Sequence, residues 1–251
     1  MSLFEELIED REEDEKIVKS FEPKDSLSDQ IFEGLKGKFS MRDDIRKSLL
    51  KISDDFIETL GVEFFIHDVV LTGSLSNYNW SQFSDVDLHI LIDFEETKYP
   101  LSLLKEFFDA KKNVWNEKHD IKIKGYDVEI YVQDVNEPHI SSGVYSVLHR
   151  KWVIEPKEET PNIDDRMILQ KAEEYIKMID KLIKNRTKKD ILSKIESLRK
   201  KIKTFRQSGL EQGGEYSYEN LTFKLLRRNG YIEKLLKLKT DITDKKLSIT
   251  Q

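Results

Sequence analysis

Two stretches of the chain carry apolar residues at intervals of three or four, the spacing that gathers them on one face of a helix. The first begins at Ser40 and ends before Gly61, a residue type that commonly follows the last turn of a helix. The second begins after Pro100, which suits a first helical turn. The apolar positions are Met41, Ile45, Leu49, Ile52, Phe56 and Leu60 in the first stretch and Leu101, Leu104, Phe108 and Trp115 in the second. We therefore predict two amphipathic helices, the first packed under the strand that follows it.

Strands are predicted where apolar and polar residues alternate. Across residues 86–92 every second residue is apolar, so Asp85 and Asp87 share the opposite face of this strand. Further strands are predicted at residues 64–72, 121–124, 126–133 and 151–155. Helices that alternate with short strands, some of them paired as hairpins, predict an α+β fold with a mixed β-sheet flanked by helices.

The C-terminal part of the chain has a purely helical pattern. Residues 156–161 contain two prolines and read as a boundary. Beyond them, helical stripes cover residues 168–182 and 191–205, and a third helical stretch covers residues 219–239 with an interruption near Asn229-Gly230. We predict a charged helical arm at residues 1–39, a catalytic domain at residues 40–158 and a helical domain at residues 159–251.

The composition narrows the class of protein. Charged residues make up 36% of the 251 residues and hydrophobic residues 38%, with no apolar run of membrane-spanning length and no signal-peptide pattern, so we expect a cytoplasmic protein that does not enter a membrane. The absence of cysteine excludes disulfides and zinc sites built from thiolates. A net charge of −6 argues against a surface coated by nucleic acid, although it leaves room for a local basic patch.

The chemistry is concentrated between residues 71 and 93. Asp85 and Asp87 are about 6.6 Å apart along their strand, and two carboxylates drawn closer than this repel each other unless a cation lies between them. Hard oxygen ligands of this kind select Mg²⁺. Gly73 and Ser74 end the preceding strand, and residues 75–80 are predicted to form one or two helical turns whose free N–H groups face a phosphate.

These residues carry a family resemblance. Gly73-Ser74, ten further residues and then Asp85-Val86-Asp87-Leu88 resemble the signature of the DNA polymerase beta-like nucleotidyltransferase superfamily. The resemblance covers roughly residues 60–135 and implies a third acid on a later strand, between two hydrophobic residues. Glu129, between Val128 and Ile130, fits that context. Asp127 lies on the same face of the same strand and is the alternative.

The resemblance implies a reaction and a role for each residue. A nucleoside monophosphate would pass from a nucleoside triphosphate (NTP) to an acceptor hydroxyl, and pyrophosphate would leave. Two Mg²⁺ ions, or Mn²⁺ in their place, would be held by Asp85 and Asp87, with Glu129 binding the ion that activates the hydroxyl. Gly73 and Ser74 would hold the departing phosphates.

Basic residues of the helical domain receive a role only through the same resemblance. Helical domains of nucleotidyltransferases often close over the triphosphate or hold the acceptor, which would make Lys224, Arg227 and Arg228 phosphate contacts. A solvated helix face is the ordinary interpretation of such charges. Similarly, residues 139–146 either contact the base or sugar of the nucleotide or form a loop that enters the strand predicted at residues 151–155.

The acceptor remains open, since an RNA end, a protein hydroxyl, a small molecule and a second nucleotide all suit the reaction. A different class of function is a nucleotide-sensing or partner-regulating protein that keeps the NTP and metal site but transfers nothing. A nucleic-acid-binding module without catalysis is disfavoured by the acidic balance of charge.

Overall fold

A computed structural model describes residues 3–139 and 141–249, with side chains from residue 11 onward. The chain divides into two compact units, which are described separately: a sheet unit, Pro23–Thr160, and a helical unit made of Met1–Glu22 and Pro161–Gln251. The arm predicted at residues 1–39 is therefore divided between the two units. The helical unit resumes at Pro161, inside the boundary predicted at residues 156–161.

The elements are given in chain order. The helices are α1 (Leu3–Lys19), α2 (Asp43–Leu60), α3 (Leu101–Lys118), α4 (Asp165–Lys184), α5 (Ile191–Gly213), α6 (Tyr218–Arg228) and α7 (Tyr231–Leu247). The strands are β1 (Phe32–Glu33), β2 (Ser40–Met41), β3 (Ile66–Thr72), β4 (Val86–Ile92), β5 (Lys122–Ile123), β6 (Tyr126–Asp134), β7 (Val144–Ser146) and β8 (Lys151–Ile154). None of the helices among the described residues is both long and apolar enough to span a membrane.

The sheet unit is built on one mixed sheet, which confirms the predicted fold class. Its six strands follow the order β5-β6-β4-β3-β7-β8, in which β4 and β6 are parallel and the other neighbours are antiparallel. The strands β1 and β2 form a separate antiparallel pair. Because β4 lies between β3 and β6, residues at its beginning have a neighbouring strand on both sides.

One face of the sheet carries the main core. The alternating residues of β4 that were predicted to be buried, Val86, Leu88, Ile90 and Ile92, are all buried there. The apolar faces of α2 and α3 pack into the same core, through residues such as Phe56 and Trp115, whose rings meet edge to face at 5.6 Å. The opposite face is partly covered as well, since Leu91 packs with Val70 and Val144.

The helix predicted from Ser40 begins later, at Asp43. Ser40 and Met41 pair with β1 instead, and the N–H of Met41 donates to the Tyr145 hydroxyl at 3.2 Å. These contacts with distant parts of the chain outweigh the local helical pattern. The predicted end is confirmed, because Gly61 follows Leu60 with φ of 70° in the left-handed region.

The helical unit buries the predicted stripes of α4 and α5, and the third helical stretch is interrupted at Gly230, whose φ is 70°. The first helix belongs to this unit because residues at and after its end, Ile17, Val18 and Phe21, are buried. The guanidinium of Arg228 on α6 lies 4.8 Å from the centre of the Phe21 ring. The charged arm is therefore anchored by a short apolar segment.

Candidate active site

Two of the three predicted acids lie side by side on neighbouring strands. The parallel register of β4 and β6 pairs Asp87 with Glu129, and paired residues of a sheet point to the same face. On the other side of β4, Asp87 is paired with Thr72, the last residue of β3. The register thus brings Asp87, Glu129 and the end of β3 together near the beginning of β4.

Asp85 lies just before β4 and lines a cleft of about 450 Å³ that Glu129 also lines. The cleft is also lined by the end of α3 with the residues that follow it, 116–121, and by Asp127 and Val128 of β6. Asp85 and Glu129 are both half-buried. The fold therefore gathers all three predicted acids at one end of β4, beside an open space.

The two competing third acids have different surroundings. Asp127 is exposed, and its carboxylate forms an ion pair with Lys122 on β5. Glu129 is half-buried, and its Oε2 accepts a hydrogen bond of 2.9 Å from the Tyr131 hydroxyl. These surroundings favour Glu129 as the ligand and give Asp127 a role in holding the hairpin of β5 and β6.

The glycine of the predicted turn lies directly against one of the acids. Gly73 has φ of 74° and ψ of −160°, a conformation that residues with a side chain rarely adopt. A Cβ atom on Gly73 would overlap the carboxylate of Asp87. The turn can approach Asp87 this closely only because the residue is glycine.

The segment after the turn differs from the prediction. Residues Ser74–Ser76 form a single 3₁₀ turn, and the chain becomes extended at Asn77, so no helix extends to residue 80. The Asn77 side chain accepts a hydrogen bond from the N–H of Tyr78 at 2.9 Å, an alternative to helical bonding that Asn commonly offers. The Ser74 hydroxyl donates to the Ser84 hydroxyl at 2.7 Å, which ties the turn to the residues just before the acids.

The connection between β6 and β7 also supports the turn, a role that the sequence did not reveal. The N–H of Gly73 donates to the Ser141 hydroxyl at 3.3 Å, and the Asn77 amide donates to the Ser142 hydroxyl. Tyr145, which was one candidate for contacting a base, is buried and packs edge to face on Phe32. The alternative prediction was a loop that enters a strand at residues 151–155. That strand is present as β8, but Val144–Ser146 of the predicted loop form the strand β7, and Ile140 lies outside the described residues.

A half-buried histidine continues the row of polar residues beside the acids. His89 follows Asp87 on the same face of β4, and its Nδ1 lies 2.8 Å from Oε1 of Gln133. Burial lowers the pKa of His89 below its ordinary value. Period-2 alternation in both strands is the signal that could have pointed to this row.

The predicted basic residues lie together on α6 of the helical unit. The pKa of Lys224 is lowered to about 8, first by burial and further by the nearby cations of Arg228, Arg227 and Arg206, while Glu215 opposes the shift. Arg228 donates from Nη1 to the Ser20 hydroxyl at 2.8 Å. The structure thus adds Arg206 to this group, and its Nε donates to Oδ1 of Asn220 at 3.1 Å.

A second group of possible metal ligands lies at the opposite end of β3 and β4. One ligand atom each from His67, Asp93 and Glu96 fall within 4.8 Å of one another. His67 and Glu96 already form a pair, with 3.3 Å between Nε2 and Oε2. This group was not predicted from the sequence, and it does not share the glycine turn or the cleft.

Comparison of the chain with protein-family models, with curated proteins and with solved structures finds no match in any of the three. The resemblance to the polymerase beta-like superfamily therefore stays a prediction that depends on the residues of this chain.

Proposed function

We propose that this protein is a metal-dependent nucleotidyltransferase that moves a nucleoside monophosphate from an NTP to an acceptor hydroxyl and releases pyrophosphate. The observation that supports it most is the pairing of Asp87 with Glu129 while Gly73 packs against the Asp87 carboxylate. The carboxylates would bind the metal ions, and the nearby turn would contact the phosphates of a metal-bound triphosphate. The proposal includes the cytoplasmic location predicted from the sequence.

The residues at this site suit Mg²⁺ or Mn²⁺. Asp85, Asp87 and Glu129 offer only carboxylate oxygens, the hard ligands that these ions prefer. When bound, two such ions stabilise the charge on the entering and leaving oxygens of the transfer. The cleft beside Asp85 and Glu129 is open to an acceptor.

The remaining roles are assigned to the turn and to the helical unit. Gly73 and Ser74 are proposed to hold the departing phosphates, as the family resemblance implies. A phosphate would there take the place of Ser141 at the Gly73 N–H and of Ser84 at the Ser74 hydroxyl. Lys224, Arg227 and Arg228 are proposed as further phosphate contacts. Lys224 in particular is a half-buried cation, and an anionic ligand would offset the cost of burying it.

The proposal is tested by incubating the protein with each α-labelled NTP and Mg²⁺ or Mn²⁺ in the presence of separated pools of RNA, protein and small metabolites. We expect the label to enter one pool, with release of pyrophosphate, and the labelled pool identifies the acceptor class. Asp54→Asn, which alters an exposed carboxylate of α2, is the matched control and should transfer normally. Metal-dependent NTP binding without transfer to any pool would instead favour a nucleotide-sensing protein.

A further inference from the structure

We propose that Tyr131 is a positioning residue that holds Glu129 ready to bind a divalent cation. The inference depends on the proposed function, because it assigns a ligand role to Glu129. Tyr131 lies two residues beyond Glu129 on β6, so both side chains emerge from the same face of the sheet. The Tyr131 hydroxyl donates to Oε2 of Glu129 at 2.9 Å.

The Tyr131 ring is held between two other side chains. On one side it meets the His89 ring, with 5.1 Å between centres, and β4 and β6 pair these two residues directly. Nζ of Lys112 on α3 lies 4.5 Å from the centre of the same ring, within the range of a cation–π interaction. Lys112 is itself fixed by an ion pair of 3.1 Å with Asp109, and only 19% of its side chain is exposed.

The orientation of His89 is determined by its own partner. Gln133 donates from Nε2 to the Glu137 carbonyl oxygen at 3.3 Å, so its Oε1 is the atom that faces His89. An amide oxygen only accepts hydrogen bonds, and Nδ1 of His89 therefore carries the proton. The row Glu129, Tyr131, His89 and Gln133 is thus a continuous set of contacts along one face of the sheet.

This arrangement leaves Glu129 well suited to bind a cation. Tyr131 occupies one carboxylate oxygen, and among the described residues no other hydrogen bond to Glu129 is present, so Oε1 is available as a ligand atom. A flexible glutamate loses rotamer freedom when it binds a metal, and a partner that already orients it reduces this cost. Tyr131 therefore acts on metal binding through Glu129 and touches no reacting atom.

The first test is a Mn²⁺ titration of the full chain, followed by the electron paramagnetic resonance signal of the free ion. Removal of an orienting partner typically weakens metal binding by about 10-fold or more, so we expect Tyr131→Phe to bind Mn²⁺ about 10-fold more weakly than the wild type. Tyr99→Phe removes a hydroxyl from a residue that is 51% exposed and should bind as the wild type does. Unchanged Mn²⁺ affinity in Tyr131→Phe would overturn the inference.

A second variant and a second readout separate positioning from packing. Lys112→Met removes the cation over the ring but leaves the Tyr131 hydroxyl, and we expect a smaller loss of Mn²⁺ affinity than in Tyr131→Phe. The rise in melting temperature caused by Mn²⁺ should shrink in the same order. A purely structural role would lower the melting temperature without metal and leave the Mn²⁺-induced rise unchanged, which would contradict positioning.

Glu129→Gln distinguishes failure of this inference from failure of the proposed function. If Glu129→Gln weakens Mn²⁺ binding and Tyr131→Phe does not, the positioning role alone is wrong. If neither variant changes Mn²⁺ binding, Glu129 is not a metal ligand. In that case both the positioning role of Tyr131 and the proposed metal site are wrong.

Discussion

At the scale of single residues, the two acids at the start of β4 are predicted to oppose stability and to support the proposed function. Carboxylates at about 4 Å repel by roughly 4 kcal/mol at an effective dielectric constant of 20. We therefore predict that Asp85→Asn with Asp87→Asn abolishes transfer while the melting temperature without metal stays equal or rises. Label transfer and thermal melts with and without Mg²⁺ measure both effects. Full metal-dependent activity in the double variant would refute the assignment of these acids.

The third acid is decided by two single substitutions on β6. We predict that Glu129→Gln loses at least about 100-fold in rate, because weaker binding of one ion costs several kcal/mol and each 1.36 kcal/mol is about tenfold. Asp127→Asn should lose far less, since Asp127 forms an ion pair with Lys122 at the surface. Such exposed pairs add little to stability because solvent screens them. Transfer rates of both variants, measured over a Mg²⁺ titration, distinguish the two acids. An inactive Asp127→Asn together with an active Glu129→Gln would show that Asp127, and not Glu129, is the third acid.

Gly73 has no room for a side chain. Gly73→Ala is predicted to destabilise the sheet unit for two reasons: the backbone conformation costs about 1–3 kcal/mol for a residue with a side chain, and the new Cβ displaces the Asp87 carboxylate. Gly214→Ala is the matched control, because Gly214 has φ of 67° and ψ of −158°, close to those of Gly73, but has open space around it. Urea unfolding should show the larger loss for Gly73→Ala, and equal losses would mean that the contact with Asp87 does not matter.

At the scale of elements, the Tyr145 hydroxyl on β7 forms a hydrogen bond with the short strand β2. Tyr145 accepts a hydrogen bond from the N–H of Met41 at 3.2 Å, and its ring packs against Phe32 and Trp152. We predict that Tyr145→Phe lowers the free energy of unfolding by about 1 kcal/mol or more, because the ring stays while the hydrogen bonds of its hydroxyl with Met41 and Ser40 are lost. Chemical unfolding measures the change, and Tyr99→Phe at an exposed position should be neutral. A neutral Tyr145→Phe would show that this bond does not hold β2.

Element prediction succeeded where a pattern is local and failed where a distant partner competes. The alternation that predicted β4 and the stripes that predicted α4 and α5 reflect burial of one face, which the sequence displays directly. The helix expected from Ser40 starts three residues late because β1 pairs with Ser40–Met41. The helix expected after Ser74 is one 3₁₀ turn, because the side chain of Asn77 takes a hydrogen bond from the backbone that follows it.

At the scale of the whole molecule, stability should depend on pH through one lysine of the helical unit. The pKa of Lys224 is lowered from 10.5 to about 8, mainly by burial. Between these pH values the unfolded chain keeps a proton that the folded protein has released, so the free energy of unfolding rises with pH in this window. One proton contributes a slope of at most about 1.4 kcal/mol per pH unit.

We therefore predict that Lys224→Met is more stable than the wild type at pH 7 and shows a flatter pH dependence between pH 8 and 10.5. Lys237→Met, which changes an exposed lysine of α7, is the control and should keep the wild-type slope. Thermal or urea unfolding across this range measures the slopes. Identical pH dependence in Lys224→Met and the wild type would show that Lys224 titrates normally in the folded protein.

The sequence by itself determined the fold class and narrowed the candidate acids to Asp85, Asp87 and either Glu129 or Asp127, and the tertiary structure decided how they lie relative to one another. Period-2 alternation places Asp85 and Asp87 at the start of one strand because the spacing of side chains along a strand is a local property. The parallel register that sets Asp87 beside Glu129, the contact of Gly73 with Asp87 and the bond from Tyr131 to Glu129 all depend on the packed structure. The pattern within one strand contains no information about which strand pairs with it or in which register, since pairing is chosen by the packing of the whole sheet.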